Sequence, residues 1–441
     1  MLRSAPAFAL PLLLATAAHA QGEPAAEPAA DATPAPEAAP KAPLAAPEEP
    51  SPAPTEPAEA AEPPAPAEPA AEAASLCPQD VPCLAAGDLA AWPKLRLRAG
   101  YAFVQADDKV LFVGHNDGFF LEHARLGLEA SYRGTFRVRL VLDATSVLSG
   151  HANDPVRPVL AAARDAYVEW RPSDYFFVRA GQSFVPFLVE GDMSTAELNF
   201  TARSVAADGV RVGQGYYEPG LSPDRQLGVM LGASEAPLGP VHLDYRLAIT
   251  NGNGKNHLGN DNKLPAVFGR LGAGFEDYVK AGFSLQYNPR SVGQLPNLYD
   301  ETDVALAGDV RLKVFGVDVL GQAVWKMTSF DTVFPEGDPA RTDNGLGVTT
   351  WIVLDEPFGL PTFGVKPGYR FSYYDPRSSS PEDQLFEHTF GLRYDPPTPI
   401  PMAFIVDVTL LFESAQLNDQ LADSQRYLDN HRAVALVQFD L

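Results

Sequence analysis

The sequence predicts an all-β chain: a transmembrane antiparallel β-barrel of about 16 strands, carrying a disordered Pro/Ala/Glu-rich N-terminal segment. Three observations point there. The chain opens on an export signal, its body alternates apolar and polar residues with period two, and its connections alternate between short and long.

The export signal comes first. Arg3 supplies a positive n-region, 7–17 is an apolar run, and Ala18-His19-Ala20 is a small-x-small cleavage site, so 1–20 reads as a signal peptide. The apolar run is too short to cross a bilayer, and no later stretch approaches the ~20 apolar residues that a spanning helix needs. A barrel escapes that test, because only alternate residues of each strand face lipid.

Residues 21–75 are almost wholly Ala, Pro and Glu. Proline removes backbone donors, the glutamates repel one another, and a single large apolar side chain, Leu44, offers no core. The segment reads as an extended periplasmic spacer. At ~3.1 Å per residue in a polyproline conformation, its 55 residues could reach on the order of 170 Å. The next piece, 76–94, holds the only cysteines, Cys77 and Cys83. In an exported chain two cysteines so close are expected to form a local disulfide. A metal site would need further ligands nearby, and neither cysteine follows the cleavage point as a lipid-modified one would.

Net charge is −23 at pH 7, and it does not all belong to the spacer. Residues 21–75 hold eleven acids and one base (Lys41), whereas 76–441 hold 45 acids and 31 bases, leaving the body at −14. An acidic body argues against nucleic acid as a partner, since phosphate binding needs a basic surface.

From Leu95 to the end, 95–441 reads as the barrel. In Thr135-Phe136-Arg137-Val138-Arg139-Leu140-Val141-Leu142-Asp143 the residues Phe136, Val138, Leu140 and Leu142 share one face, and Arg137, Arg139 and Asp143 share the other. Similar runs recur to the C-terminus, where Ala435, Val437, Phe439 and Leu441 alternate with Leu436, Gln438 and Asp440. Seven connections are short and rich in turn formers, beginning with Arg133-Gly134; eight are longer and polar, at 107–118, 147–160, 185–224, 251–264, 288–302, 328–341, 375–382 and 414–430. Sixteen strands with both ends on one side need seven connections there and eight opposite. Outer-membrane barrels have short periplasmic turns and long external loops. A soluble sandwich would also alternate, but it would hide its Leu, Val, Phe and Tyr faces in a core.

If the apolar faces meet lipid, the other faces line a lumen. For the first five strands these are Arg96, Arg98, Arg125, Arg133, Arg137, Arg139, Arg171 and Arg179, with Glu129, Asp143, Asp165 and Glu169, an excess of about four positive charges. The acidic excess of the body is then expected elsewhere, largely in loops such as 296–303, 331–343 and 419–429. Fixed guanidinium donors can replace part of an anion's hydration and favour its passage. The competing reading is that these arginines pair with acids across strands and stiffen the wall. The connection 185–224 is too long and polar to lie in lipid, so it covers the mouth or folds inward. It carries Glu190, Asp192, Glu197, Arg203, Asp208 and Arg211, with glycines at 191, 209, 213, 215 and 220 for tight bends.

The order of several short motifs resembles the phosphate-selective porin O and P family. They are Ala166-Tyr167-Val168-Glu169-Trp170, then Phe177-Val178-Arg179-Ala180-Gly181-Gln182 with Phe184, Pro186, Phe187 and Glu190, then Ala202-Arg203-Ser204, Asp224-Arg225-Gln226-Leu227-Gly228-Val229 and Ala248-Ile249-Thr250-Asn251-Gly252. The resemblance covers most of 95–441 and is clearest over 160–255. It implies a sixteen-stranded barrel, a homotrimer, and a third external loop folded into the pore; Arg203 and Arg225 match the family's motif arginines. The chain departs from the pattern in its acidic body and its few lysines.

No catalytic constellation is present. The eight histidines show no metal-binding pair, Ser183 lacks the second glycine of a nucleophile elbow, and no nucleotide-binding loop is visible. The expectation is therefore an outer-membrane porin of a Gram-negative bacterium, not an enzyme and without cofactor, its N-terminal segment in the periplasm. It would pass small hydrophilic solutes or anions, its lumen narrowed by 185–224, with membrane lipids as its surroundings. The alternative is a structural anchor whose spacer reaches the cell wall.

Overall fold

The computed structural model describes residues 77–78, 81–104, 118–144, 162–210, 218–294, 297–330, 342–379, 383–398, 401–413 and 431–441. The signal peptide, the 21–75 spacer, Arg211 and most of the loops at 107–118, 147–160, 331–341 and 414–430 lie outside them.

Sixteen strands close into one antiparallel barrel. They are β1 (Leu89–Val104), β2 (Gly118–Tyr132), β3 (Phe136–Asp143), β4 (Ala162–Ser173), β5 (Phe176–Phe184), β6 (Arg225–Leu238), β7 (Val241–Thr250) and β8 (Ala266–Phe275) in the first half. The second half is β9 (Val279–Gln294), β10 (Asn297–Val314), β11 (Val317–Phe330), β12 (Thr342–Leu354), β13 (Val365–Asp375), β14 (Leu385–Tyr394), β15 (Met402–Glu413) and β16 (Arg432–Asp440). Each strand pairs with its sequence neighbour, and β16 returns to pair with β1, from Arg432 opposite Val104 to Asp440 opposite Arg96. Closure leaves no open edge, which is the condition for backbone amides to lie in hydrocarbon.

The period-two pattern explains the faces. Phe136, Val138, Leu140 and Leu142 stand exposed on the outside, while Asp143, Arg125 and Glu129 are buried within. This is the inverse of a soluble core, and it holds around the barrel: Leu285, Leu306, Ile352, Phe390 and Val406 face out, and Ser284, Gln322, Thr349, Thr389 and Asp407 face in. At the short-turn end Tyr132, Phe136, Trp170, Tyr175, Tyr278, Phe315, Phe358 and Phe363 form an exposed aromatic belt, the interfacial girdle of such barrels.

Two boundaries differ from the sequence reading. The first strand starts at Leu89 and not at 95, because Trp92 and Lys94 continue the alternation and the short strand Leu84–Ala86 turns back onto 89–91. The expected loop 288–302 is mostly sheet: β9 and β10 remain paired out to Gln294 opposite Asn297, with Arg290 opposite Glu301. The polarity that suggested a loop belongs to cross-strand ion pairs, Arg290 lying 3.0 Å from Glu301 and 3.3 Å from Asp303. Glu301 and Asp303 are consequently buried inside the barrel and not in a loop. Cys77 and Cys83 are joined as a disulfide ahead of the first strand.

Candidate functional site

The segment between β5 and β6 decides the interior. It enters through Val185 and Phe187, forms two single-turn helices, α1 (Val189–Asp192) and α2 (Val205–Asp208), and returns through Leu221 to Asp224. Phe187, Leu188, Val205, Ala206, Ala207 and Leu221 join one buried cluster with Ala248, Phe268, Ala305, Val324, Tyr374 and Leu411 of the wall. Phe200 belongs to a second with Leu320, Trp351 and Val353. Such close seating needs glycine: a Cβ on Gly391 would lie 2.8 Å from the Phe200 ring, and one on Gly347 would lie 2.9 Å from the Ala206 methyl.

Polar anchors accompany the apolar ones. Glu190, fully buried, accepts from Ser204 N (2.7 Å), Ser204 Oγ (2.5 Å) and Gln322 Nε2 (2.8 Å). Thr201 donates through its amide and hydroxyl to Asp407 at 2.8 and 2.7 Å, and the amide of Val205 donates to Glu387 at 3.0 Å. Arg370, 1% exposed, donates to Glu387 (2.8 Å) and to the Ala202 carbonyl (2.6 Å), with its guanidinium 4.8 Å above the Phe200 ring. Asp192 meets Arg246 of β7 at 2.6 Å. Arg203 is turned inward on its own segment, donating to the carbonyls of Glu190 and Met193. Glu190 and Arg203, expected among the charges of a loop that narrows the lumen, are structural fasteners on its buried side. Sequence polarity alone could not separate the two sides of an irregular segment.

Opposite the loop lies the arginine-rich wall. A cavity of about 260 Å³ is lined by Lys94, Arg96, Arg125, Arg139, Arg164, Arg179 and Arg225 against Asp165, Asp440 and the loop's Asp192 and Glu197. Arg96 meets Asp440 at 2.5 Å and donates to Ser194 Oγ, tying β1, β16 and the loop. Arg125 donates to Asp143 at 2.8 Å; Arg137 and Arg139 lie 3.4 and 3.8 Å from Glu129; Arg179 donates to Glu169 at 2.7 Å. Arg225 donates to Asp165 at 2.7 Å and sits 3.6 Å over the Phe184 ring. Arg98 points inward but is sealed, donating to the Thr201 carbonyl with 0% exposure. Arg133 sits at the short turn, paired with Asp88 and exposed, outside the wall.

Along β1–β6 and β16 ten cations (Lys94 and Arg96, 98, 125, 137, 139, 164, 171, 179 and 225) share seven carboxylates (Glu122, Glu129, Asp143, Asp165, Glu169, Asp224 and Asp440). Cross-strand pairing and positive excess therefore coexist. The other wall is evenly balanced: Asp244, Glu301, Asp303, Asp309, Asp318, Glu387 and Asp407 face in beside Arg246, Arg270, Arg290, Arg311, Lys326, Arg370 and Arg393.

Arg164 escaped the sequence reading. The register slips beside it, Val141 opposite Asp165 but Leu142 opposite Ala163, so a bulge turns Arg164 inward beside Asp165. Among the described residues its ion pair is a 3.6 Å contact with Asp143. Arg246, Arg270 and Arg370 follow the alternation of the later strands and face inward with Asp244, Asp309 and Glu387.

No protein-family model matches this chain, and no curated protein matches it by sequence. Solved structures do match by shape. An anion-selective porin from Comamonas acidovorans aligns at 12% identity with TM-score 0.53, over 80% of this chain and 100% of its own. The outer membrane channel DcaP of Acinetobacter baumannii aligns at 12% and 0.52, over 80% and 97%, and Salmonella typhi OmpF at 12% and 0.53, over 82% and 100%. At such identities the likeness concerns architecture: the chain has the closed sixteen-stranded barrel fold of outer-membrane porins.

Proposed function

We propose that the protein is an outer-membrane porin that passes small hydrophilic solutes, with preference for anions, along the arginine wall. The observation that carries this reading is the ten cations sharing seven carboxylates beside an open cavity of about 260 Å³. A guanidinium keeps its charge at any physiological pH and presents donors in a fixed fork. An anion entering this space exchanges water for those donors at little reorganisation cost. The loop seats its apolar side chains, Phe187, Phe200 and Leu221, on the evenly charged wall, which narrows the lumen and leaves the basic side as the path. Such a barrel would be assembled as a trimer in a Gram-negative outer membrane, its N-terminal spacer in the periplasm, with no chemical step and no cofactor.

Phosphate is the anion that the resemblance implies, yet the wall offers a single lysine at the cavity and many acids, so chloride and organic anions fit equally well. Purified protein in planar bilayers tests the reading: open channels are expected, with a reversal potential in a potassium chloride gradient of anionic sign. Arg139→Ala should reduce the anion-to-cation permeability ratio several-fold. Cation preference in the wild type would refute the arginine path, and the absence of any channel would leave the structural-anchor reading in its place.

A further inference from the structure

The cavity on the arginine wall holds two ionic groups of opposite sign that the protein itself leaves under-paired. The first is Glu197. Of residues 185–210 it is the only exposed one, and it lines the cavity of about 260 Å³. Its turn is held on both sides. Arg393 of β14 donates to the carbonyls of Ala196 and Leu198 at 2.7 and 2.8 Å, the Glu197 amide donates to the Ser194 carbonyl, and Leu198 is buried. The backbone is therefore fixed while the carboxylate stays open to solvent. Every other carboxylate of the lining has a cation: Asp192 has Arg246 at 2.6 Å, Asp165 has Arg225 at 2.7 Å and Asp440 has Arg96 at 2.5 Å. Among the described residues Glu197 has none within 4.0 Å.

The second group is Arg164. The bulge in β4 turns it inward, where it is half-buried and lines the same cavity. Its ion pair, 3.6 Å to Asp143, is with a carboxylate that Arg125 already holds at 2.8 Å. Among the described residues the Arg164 guanidinium makes no hydrogen bond. A guanidinium offers five N–H donors in a rigid fork that fits a carboxylate. Both groups keep surface on the cavity, so a solute can reach them. A simple anion on Arg164 leaves Glu197 unpaired, and a simple cation on Glu197 faces the basic wall. A solute with both signs satisfies the two together. Val141, Tyr167 and Phe184 add apolar edges for a short carbon frame. The space is smaller than the ~300–1,000 Å³ of drug-sized pockets, which restricts the solute to a small one.

We propose that this part of the arginine path is a binding subsite for small zwitterions, amino acids or dipeptides, with the carboxylate on Arg164 and the ammonium on Glu197. The proposal rests on the porin reading for the solute's route to the cavity, but its test reads binding and not conduction. Detergent-solubilised full-length protein is titrated calorimetrically at neutral pH with glycine and diglycine, each against its N-acetyl derivative, which keeps the carboxylate and loses the ammonium. Inorganic phosphate serves as the simple anion. Saturable binding of at least one zwitterion is expected, with its N-acetyl derivative about tenfold weaker, the worth of a charge-assisted hydrogen bond. In Glu197→Gln that difference should vanish while the acetylated probe is bound no less tightly. In Arg164→Gln both members of the pair should be weakened. Neither substitution strands a buried charge, since Glu197 is exposed and Asp143 keeps Arg125. Sheet circular dichroism and heat-modifiable gel mobility establish folding. Arg164→Lys, which lacks the fork and should also weaken both probes, is read where Arg164→Gln does not fold. No saturable binding of either zwitterion, equal affinity for the acetylated probe, a difference that survives in Glu197→Gln, or unchanged affinity in the folded Arg164 variant overturns the proposal. Tighter binding of phosphate than of both zwitterions overturns the zwitterion class and leaves the anion path intact. Cation-selective or absent channels refute the porin reading instead and leave this binding result standing.

Discussion

At the scale of single residues the interior is held by ions that cannot spare a partner. Arg370 is 1% exposed and its closest carboxylate is Glu387, at 2.6 Å. Deleting one member of a buried pair leaves an uncompensated charge and costs roughly 3–5 kcal/mol. Glu387→Ala is therefore expected to lower the thermal midpoint of the purified barrel by many degrees and to loosen α2, whose first amide it receives. An unchanged midpoint would show that water replaces the carboxylate. The wall arginines on β1–β5 were legible in the sequence, since alternation fixes the face. Arg164 was not, because a bulge inverts alternation locally and leaves no mark in the residue types. Glu190 and Arg203 were legible as charges but not as fasteners, since nothing in 185–224 says which side meets the wall.

At the scale of elements the packed loop behaves as a fitted part, and its two α1 carboxyls titrate in opposite directions. Burial lifts Glu190 above the usual carboxylate value, against the pull of Arg370 and Ser204. Burial also disfavours charge on Asp192, but Arg246 outweighs it and holds that carboxyl low. A raised folded value contributes stability that is complete below the unfolded value, near ~4.3 for Glu, and is lost as pH rises through the folded value. A depressed one contributes above the unfolded value, near ~3.9 for Asp, and loses it as pH falls through the folded value. Between pH ~7 and ~4.5 Asp192 therefore keeps its full contribution while Glu190 gains, so mild acid tightens the loop. Single-channel conductance over this range should not step up; an increase would mean that the loop is released. The strand elements themselves were readable, and the miss at 288–302 has a physical source. Paired polar residues on strands that extend outward look like a loop, because no lipid demands apolar neighbours there.

At the scale of the whole molecule, the proposed anion preference rests on the local excess of cations along one wall. The chain carries −23 overall, yet the path proposed for anions is basic. Local fixed charges act within a Debye length, about 10 Å at 0.1 M salt and about 3 Å at 1 M. Anion preference should accordingly be marked at 0.1 M and shrink towards unity at 1 M, as read from reversal potentials at fixed gradient ratio. Preference that persists at 1 M would assign selectivity to tight ion binding and not to the field. The strand count came from the sequence through connection lengths, seven short and eight long, which depend only on which side of a membrane each turn faces. The inward seating of the loop depends on shape complementarity with distant glycines such as Gly347 and Gly391, and pattern in one strand carries no information on that.

The seam between β16 and β1 has a kinetic meaning. Arg96 bonds to Asp440 across a sequence separation of 344, and the Leu95 and Leu441 backbones exchange hydrogen bonds beside it. Joining ends so far apart carries a closure entropy that no local turn offsets in advance, and folds dominated by distant pairings assemble slowly. Until the last strand arrives, both seam strands present bare edges of the kind that recruit other chains. The slowest event in folding should therefore be the meeting of the first and last strands.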